Sequence, residues 1–311
     1  MASHGGTRAV LAALLANTGI ALTKFLAFGL TQSSSMLAEA IHSVADSANQ
    51  LLLLLGGRRG QREATPEHPF GYGRERYIYS FIVSIVLFSV GGLFALYEAW
   101  HKWHEVRLHP GDLGQLDGRW WWVPLVVLGI AIVLEAFSFR TAMREANRER
   151  GEHSLVTYVR RAKAPELPVI LLEDFAALTG LVFALVGVGL TLLTRNPVFD
   201  VLGTALIGLL LVAVAVVLAA ETKSLLLGES ATPEAQRRIR DALAASAGVE
   251  SVIHLRTMHL GPEELLVAAK IAVPPQSSAS DVARAIDTAE AAIRAAEPVA
   301  TTIFLEPDLR R

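Results

Sequence analysis

Residues Ser35 to Leu55 read S-M-L-A-E-A-I-H-S-V-A-D-S-A-N-Q-L-L-L-L-L, a largely apolar run that is long enough to cross a membrane. The run nevertheless carries ionisable side chains, and each of these costs roughly 2.5–3.5 kcal/mol to place in the bilayer centre. At about 3.6 residues per turn, its polar residues fall on one side of the helix. They are Glu39, His42, Asp46 and Asn49.

Two interpretations of this polar stripe are open. His42 and Asp46 are four residues apart, so both can reach one small cation, which favours a metal or proton pathway. The alternative is a set of hydrogen bonds between neighbouring helices. In either case Glu39 and Asn49 are expected to support the His42–Asp46 pair.

The composition indicates a membrane protein with a soluble part. Hydrophobic residues make up 52% of the 311 residues, the mean hydropathy is +0.41 and the formal net charge is −2. That charge gives no support for nucleic-acid binding. The chain has no cysteine, so a bound metal must be held by His, Asp, Glu, Asn or water.

Apolar runs predict six membrane-spanning helices. The loops after the second and fourth runs are rich in arginine, which predicts that both termini are cytoplasmic. A short chain rich in Ala, Leu and Arg, without a targeting extension, leads us to expect a bacterial inner (plasma) membrane. The predicted spans are residues 9–30, 35–55, 77–100, 120–139, 169–193 and 198–220.

The other spans contain few polar residues. In the first span we expect Asn17 to hydrogen-bond a neighbouring helix or support the site, and Lys24 to snorkel to the interface. The fourth span contains Glu135, and the fifth begins with Glu173 and Asp174. One imidazole with several carboxylates and no sulfur suits a borderline divalent cation such as zinc. Because protons compete for the same donors, such a site can exchange metal for protons.

The expected metal ligands are His42, Asp46 and Asp174. The side chain of Glu173 points about 100° away from that of Asp174, so Glu173 is a candidate ligand, a gate or an interfacial acid near the cytoplasmic end. No nucleophile motif or phosphate-binding loop is evident, which argues against an enzyme. Four further residues are expected to support the ligands or to carry protons: Asn17, Glu39, Asn49 and Glu135.

The last part of the chain has a different pattern. Two amphipathic helices alternate with strand-like runs in the order αββαβ, which predicts a two-layer α+β domain. We therefore predict a transport domain over residues 1–227 and a second domain over residues 228–311. A domain of about 80 residues is only marginally stable alone, so contacts with a partner are expected.

Three stretches resemble the cation diffusion facilitator family. They are T-x-S-S-x-M-L-A-E-A-x-H-S-x-A-D-S-x-N-Q over residues 31–50, H-P-F-G-Y-G-R-E over residues 68–75, and I-L-L-E-D-F-A-A-L-T-G over residues 170–180. The last is similar to the zinc transporter 9 branch. The resemblance implies a homodimeric metal/proton antiporter that exports a divalent cation, here zinc, by alternating access. It implies Zn²⁺ as cargo, H⁺ as counter-ion, no prosthetic group, a lipid bilayer as surroundings and a ferredoxin-like cytoplasmic tail.

The resemblance also implies a transport site with two pairs of residues, each pair four apart. His42 and Asp46 match the pair of the second span, and Asp174 matches the second member of the fifth-span pair. The first member falls on Ile170, which cannot bind metal, so water, Glu173, Glu39, Asn17 or Glu135 must replace it. This departure keeps two alternatives open: a transport-impaired, membrane-anchored regulatory or scaffold protein, and a transporter of manganese, iron or cobalt.

Of two accessory metal sites found in some family members, one is expected to be absent here and the other to be poor at most. In the loop, the residue four positions after His68 is Tyr72, so the histidine pair used by some members is absent. The tail offers few donors, so it is expected to be a dimerisation domain with at most a poor metal site. Those donors are His254, His259, Glu306 and Asp308.

Overall fold

The computed structural model describes residues 3–31, 34–109, 111, 113 and 118–309, and within these ranges the side chains of residues 3–8, 30, 31, 34–39, 41, 42 and 45 are outside the description. The described part is mostly helical, with a small sheet near the C-terminus. Its elements are α1 (Ser3–Thr31), α2 (Ser34–Gly60), α3 (Glu75–Val86), α4 (Phe94–Leu108), α5 (Val123–Glu149), α6 (Leu155–Arg161), α7 (Glu166–Thr194), α8 (Val198–Leu227), α9 (Pro233–Ala244), β1 (Ser251–Gly261), β2 (Glu264–Ala272), α10 (Ala279–Ala296) and β3 (Thr302–Asp308).

Five helical segments of the described part are long and apolar enough to cross a membrane. They coincide with five of the six predicted spans, and α2, which carries the polar stripe, is not among them. Several helices continue beyond the predicted spans because polar residues end the apolar run without ending the helical hydrogen bonds. The five segments are residues 9–29, 75–108, 123–149, 166–194 and 198–227.

The third span is a single apolar segment with an irregular centre. A π-helical stretch, Leu87–Leu93, joins α3 to α4 without a loop. Further along, the Lys102 ammonium donates to Asp200 Oδ2 at 2.9 Å and to Thr204 Oγ1 at 3.3 Å. This ion pair ties α4 to the first turns of α8.

The connector between the fourth and fifth spans contains a short helix. α5 continues to Glu149, and α6 follows after its N-cap, Ser154, whose hydroxyl accepts a hydrogen bond from the Thr157 amide at 3.2 Å. The Tyr158 hydroxyl donates to Glu149 Oε2 at 2.6 Å. Burial and this contact with Glu149 raise the pKa of Tyr158. The contact fastens α6 to the end of α5.

Small residues let three of the membrane helices pack closely. α1, α5 and α7 contact one another, and their shared core includes Ala13, Ala142, Ala146 and Ile170. Helices that lie in lipid associate through such close contacts because lipid removes the usual hydrophobic drive between them. The α1–α5–α7 group is the scaffold on which the buried polar residues are placed.

The chain folds into two compact units, and neither is one continuous stretch of sequence. The first unit contains residues 1–57 and 78–222, and the second contains residues 58–77 and 223–311. The loop between α2 and α3 therefore folds with the C-terminal segment. The transport domain predicted from the sequence, residues 1–227, contains this loop.

The C-terminal segment has the predicted element order αββαβ. Its sheet has the strand order β1–β2–β3, in which β1 and β2 are antiparallel and β2 and β3 are parallel. Alternate residues of β2 are buried, including Leu265 and Ile271, and they pack with Ile239 of α9 and Ile293 of α10. Ser278 and Asp281 form a capping box at the start of α10.

The loop of the second unit packs backbone to backbone against the turn between β1 and β2. A Cβ atom on Gly73 would lie 2.9 Å from the Gly261 Cα and 3.1 Å from the Leu260 carbonyl oxygen. Arg74 Nη2 lies 3.6 Å from Met258 Sδ beside this contact. Only glycine permits so close an approach of two backbones, which explains the glycines of the H-P-F-G-Y-G-R-E motif in part.

Candidate metal centre

A network of hydrogen bonds joins α1, α2 and α7 inside the first unit. Glu173 is 5% exposed, and both of its oxygens accept from amides of α2: Asn49 Nδ2 donates to Oε1 at 2.9 Å and Gln50 Nε2 to Oε2 at 3.1 Å. The Gln50 carbonyl oxygen accepts from Asn17 Nδ2 at 3.2 Å. Glu173 is therefore enclosed between helices.

Gln50 is a member of this network that the sequence analysis missed. It directly follows Asn49 and precedes the run L-L-L-L-L. A strongly polar side chain at the start of such an apolar run is a signal in its own right, because a buried amide needs partners on another helix.

A second buried carboxylate, Asp174, is held by α5. Asp174 is 1% exposed, and its Oδ2 accepts a hydrogen bond from Ser138 Oγ at 2.7 Å. Glu135, which is 2% exposed, precedes Ser138 by three residues and lies on the same side of α5. Ser138 was also missed, although its spacing from Glu135 places the two side chains together.

Four carboxylates from three helices form what we call the acidic cluster: Asp46 of α2, Glu135 of α5, and Glu173 and Asp174 of α7. Glu135 interacts electrostatically with the other three, and Glu173 interacts with Asp46 and Asp174. Asp46 is partly buried on α2, one turn before Asn49. The helices thus bring together four of the acids selected from the sequence.

Two predicted members on α2 cannot be placed relative to this cluster. His42 and Glu39 belong to α2, but their side chains lie outside the described residues. Among the side chains that are described, no three His, Asp or Glu residues are close enough to hold one metal ion together. Ile170 is fully buried in the apolar core and offers no donor. A complete set of ligands therefore requires His42 or a movement of the carboxylates.

The sequence predicts that the Lys24 side chain extends to the membrane interface, but in the structure it is buried. It is only 6% exposed and interacts electrostatically with Glu135. The reason is its place on α1: it shares the buried face that also carries Asn17, seven residues earlier. Proximity to carboxylates lowers the cost of burying an ammonium group.

The loop histidine of the second unit is used in aromatic packing. The His68 ring stacks on Tyr72 with 4.7 Å between the ring centroids, and the Arg62 guanidinium lies 4.9 Å from the centroid of the Tyr72 ring. Tyr72 thus takes part in two stacking contacts, one with His68 and one with Arg62.

The carboxylates of the C-terminal segment contact a lysine. Lys270 Nζ lies 2.8 Å from Asp308 Oδ2 and 3.1 Å from Glu306 Oε1, and these contacts raise the pKa of Lys270. His254 is the cross-strand neighbour of Lys270, while His259 is buried with its Nδ1 3.3 Å from the Gly261 carbonyl oxygen. An ammonium group thus lies against two of the four donors considered for the tail.

The fold and the acidic cluster define a polytopic helical membrane protein with ionisable groups inside its membrane unit. The chain belongs to the cation efflux family. The family model described as the cation efflux transmembrane domain matches residues 10–227, and the model described as the cation efflux protein cytoplasmic domain matches residues 231–308. The resemblance inferred from the sequence is confirmed.

Two relatives are about one third identical to this chain over the aligned residues. It is 33% identical over 275 residues to the mitochondrial proton-coupled zinc antiporter SLC30A9 of Xenopus laevis, covering 87% of this chain and 47% of that protein. Identity to the Homo sapiens protein of the same name is 34% over 260 residues, with 83% and 44% covered. The chain thus spans less than half the length of these relatives. A solved MamM C-terminal domain variant is 26% identical over 25% of this chain and 93% of that chain, with a TM-score of 0.24.

The predicted bacterial plasma membrane is wrong. The two SLC30A9 relatives, which are 33% and 34% identical to this chain, are named as mitochondrial proteins, so they support a membrane location but not a bacterial plasma membrane. Hydropathy could not make this distinction, because bilayers of similar thickness require similar apolar runs.

Proposed function

We propose that the chain is a zinc efflux transporter that exchanges the metal for protons by alternating access. The observation that carries the proposal is the acidic cluster, in which membrane helices α5 and α7 and the polar helix α2 contribute buried or partly buried carboxylates. Carboxylates inside a membrane protein attract both divalent cations and protons. The names of the relatives supply zinc as the metal and the proton as the coupled ion. We propose no enzymatic activity.

The proposed metal ligands are His42, Asp46 and Asp174. Glu135 is the proposed fourth ligand, because the side chain of Ile170 has no atom that can bind a metal. The argument for Glu135 over Glu173 is hydrogen bonding. Both oxygens of Glu173 already accept from α2 amides, whereas the favourable electrostatic neighbour of Glu135 is the Lys24 ammonium group. A carboxylate beside one flexible ammonium group can turn towards a metal at lower cost than one that must first release two amides.

The wider architecture follows from the same proposal. α2 is the sixth span, with its polar stripe turned to the interior of the membrane unit. Residues 1–227 form the transport domain, except that the loop over residues 58–77 packs with residues 228–311, which form a ferredoxin-like domain through which two copies dimerise. The αββαβ order and the match to the family's cytoplasmic-domain model support this assignment.

Purified full-length protein in liposomes tests the function directly. With zinc outside, a zinc-sensitive dye inside and an acidic interior, we expect uptake that stops when an ionophore removes the pH gradient. Zinc affinity should fall as the pH falls, because protons compete for His42 and the carboxylates. Uptake unaffected by the gradient, or affinity independent of pH, would contradict proton exchange. An intact dimer without flux of zinc, manganese, iron or cobalt would favour a scaffold role.

Replacing Glu135 by Gln is expected to weaken zinc binding by at least about tenfold, since a charged donor becomes a poor one. Calorimetry on detergent-solubilised protein measures the change. Glu98→Gln, at a half-buried acid of α4 outside the cluster, is the matched control. Ile170→His, added to Glu135→Gln, should recover part of the affinity. Equal zinc affinity in Glu135→Gln and wild type would remove Glu135 from the ligand set.

A further inference from the structure

Lys24 is a buried ammonium group that the proposed transport site does not use. It lies on the face of α1 that carries Asn17, seven residues earlier, which corresponds to about two helical turns or roughly 10 Å. Asn17 donates to Gln50 of α2, so this face of α1 is turned towards α2.

The pairing of α1 with α2 brings Lys24 close to the level of Asp46. α2 begins three residues after the last residue of α1, and the Asn17–Gln50 hydrogen bond joins points near the middle of each helix, so the two helices must run in opposite directions. Asp46 precedes Gln50 by four residues, about 6 Å towards the end of the pair where Lys24 lies. The remaining offset of roughly 4–5 Å along the axis is within the length of a lysine side chain.

On the side of α5, Lys24 interacts electrostatically with Glu135. Its ammonium group thus interacts with Glu135 and lies near the level of Asp46 along the helix pair. Like charges in a low-dielectric interior repel one another, and a buried carboxylate without compensation is costly. A lysine ammonium group can offset part of this repulsion. Because it is a compact charge on a flexible four-carbon stem, it can also move away from the carboxylates.

We infer that Lys24 is a tethered counter-ion, which neutralises the acidic cluster when no metal is bound and is displaced when a divalent cation enters. The identity of the displacing ion as zinc rests on the function proposed above. In this arrangement Lys24 competes with the metal, which lowers the equilibrium affinity and promotes release.

Lys24→Met keeps the length and the apolar stem of the side chain but removes the charge. We expect zinc to bind about tenfold more tightly or better, with KM and kcat for liposome uptake both reduced because release becomes slow. Lys24→Arg keeps the charge and should change affinity much less. Lys223→Met, at an exposed lysine near the end of α8, is the matched control. Weaker zinc binding in Lys24→Met, or an unchanged KM, would overturn the inference.

A second measurement needs no transport. In metal-free full-length protein, Lys24→Met should lower the melting temperature, and adding Glu135→Gln should restore part of the loss because the charges are again balanced. Lys24→Gln serves the same cycle if Lys24→Met does not fold. If the two positions are coupled but the wild-type protein transports no zinc in liposomes, the counter-ion is supported and the proposed function is refuted. Zinc flux with purely additive effects would refute the counter-ion alone.

Discussion

Asp174→Asn is expected to reduce proton-driven zinc uptake by at least about a hundredfold, because a charged ligand becomes a neutral amide. The substitution separates charge from packing. Asp174 is buried, and asparagine has nearly the same shape and keeps an oxygen that can accept from Ser138 Oγ. The fold should therefore persist while the attraction for metal and for protons is lost. Uptake into dye-loaded liposomes, normalised to the amount of reconstituted protein, measures the effect.

Ser138→Ala provides the comparison that isolates the charge of Asp174. It removes the 2.7 Å hydrogen bond but leaves the carboxylate in place, so we expect a loss of uptake of about tenfold or less. Melting temperatures of both variants show whether each remains folded. An Asp174→Asn protein that is folded and carries zinc at the wild-type rate would exclude Asp174 as a ligand.

Glu173→Leu is expected to destabilise the membrane unit by about 3 kcal/mol or more, because two buried amide donors lose their acceptor at once. The donors are Asn49 Nδ2 and Gln50 Nε2, and both belong to α2. The free energy of unfolding in detergent measures the loss, and transport should fall with it because α2 is no longer held against α7.

A double-mutant cycle distinguishes this bracing role from metal binding. Asn49→Leu with Glu173→Leu should cost less than the sum of the two single changes, since the pair shares one hydrogen bond. A stable Glu173→Leu protein that has lost zinc affinity would instead identify Glu173 as a ligand.

Much of the fold follows from local patterns in the sequence. Long apolar runs predict the membrane helices because a bilayer requires about 20 apolar residues for each span. The alternation of residues such as Leu265 and Ile271 predicts a strand buried on one side. The position of Asp46 and Asn49 on one face of α2 follows from helix geometry alone.

The partners of these residues could not be predicted in the same way. Periodicity fixes which face of its own helix Glu173 occupies, but not that this face meets Gln50. Hydropathy predicts an interfacial position for Lys24 because it takes no account of residues that are distant in sequence but close in space, such as Glu135. Such contacts join residues far apart in the chain, so they depend on how the helices are assembled.

The contact of Gly73 with Gly261 means that the C-terminal unit cannot be cut from the chain at one peptide bond. A fragment that begins after α8 lacks residues 58–77, which belong to the same unit. Its β1–β2 turn and Met258 would lose the loop that packs on them. The smallest fragment that contains the whole unit would fuse residues 58–77 to residues 223–311. The boundary between the two units therefore does not correspond to a single position in the sequence.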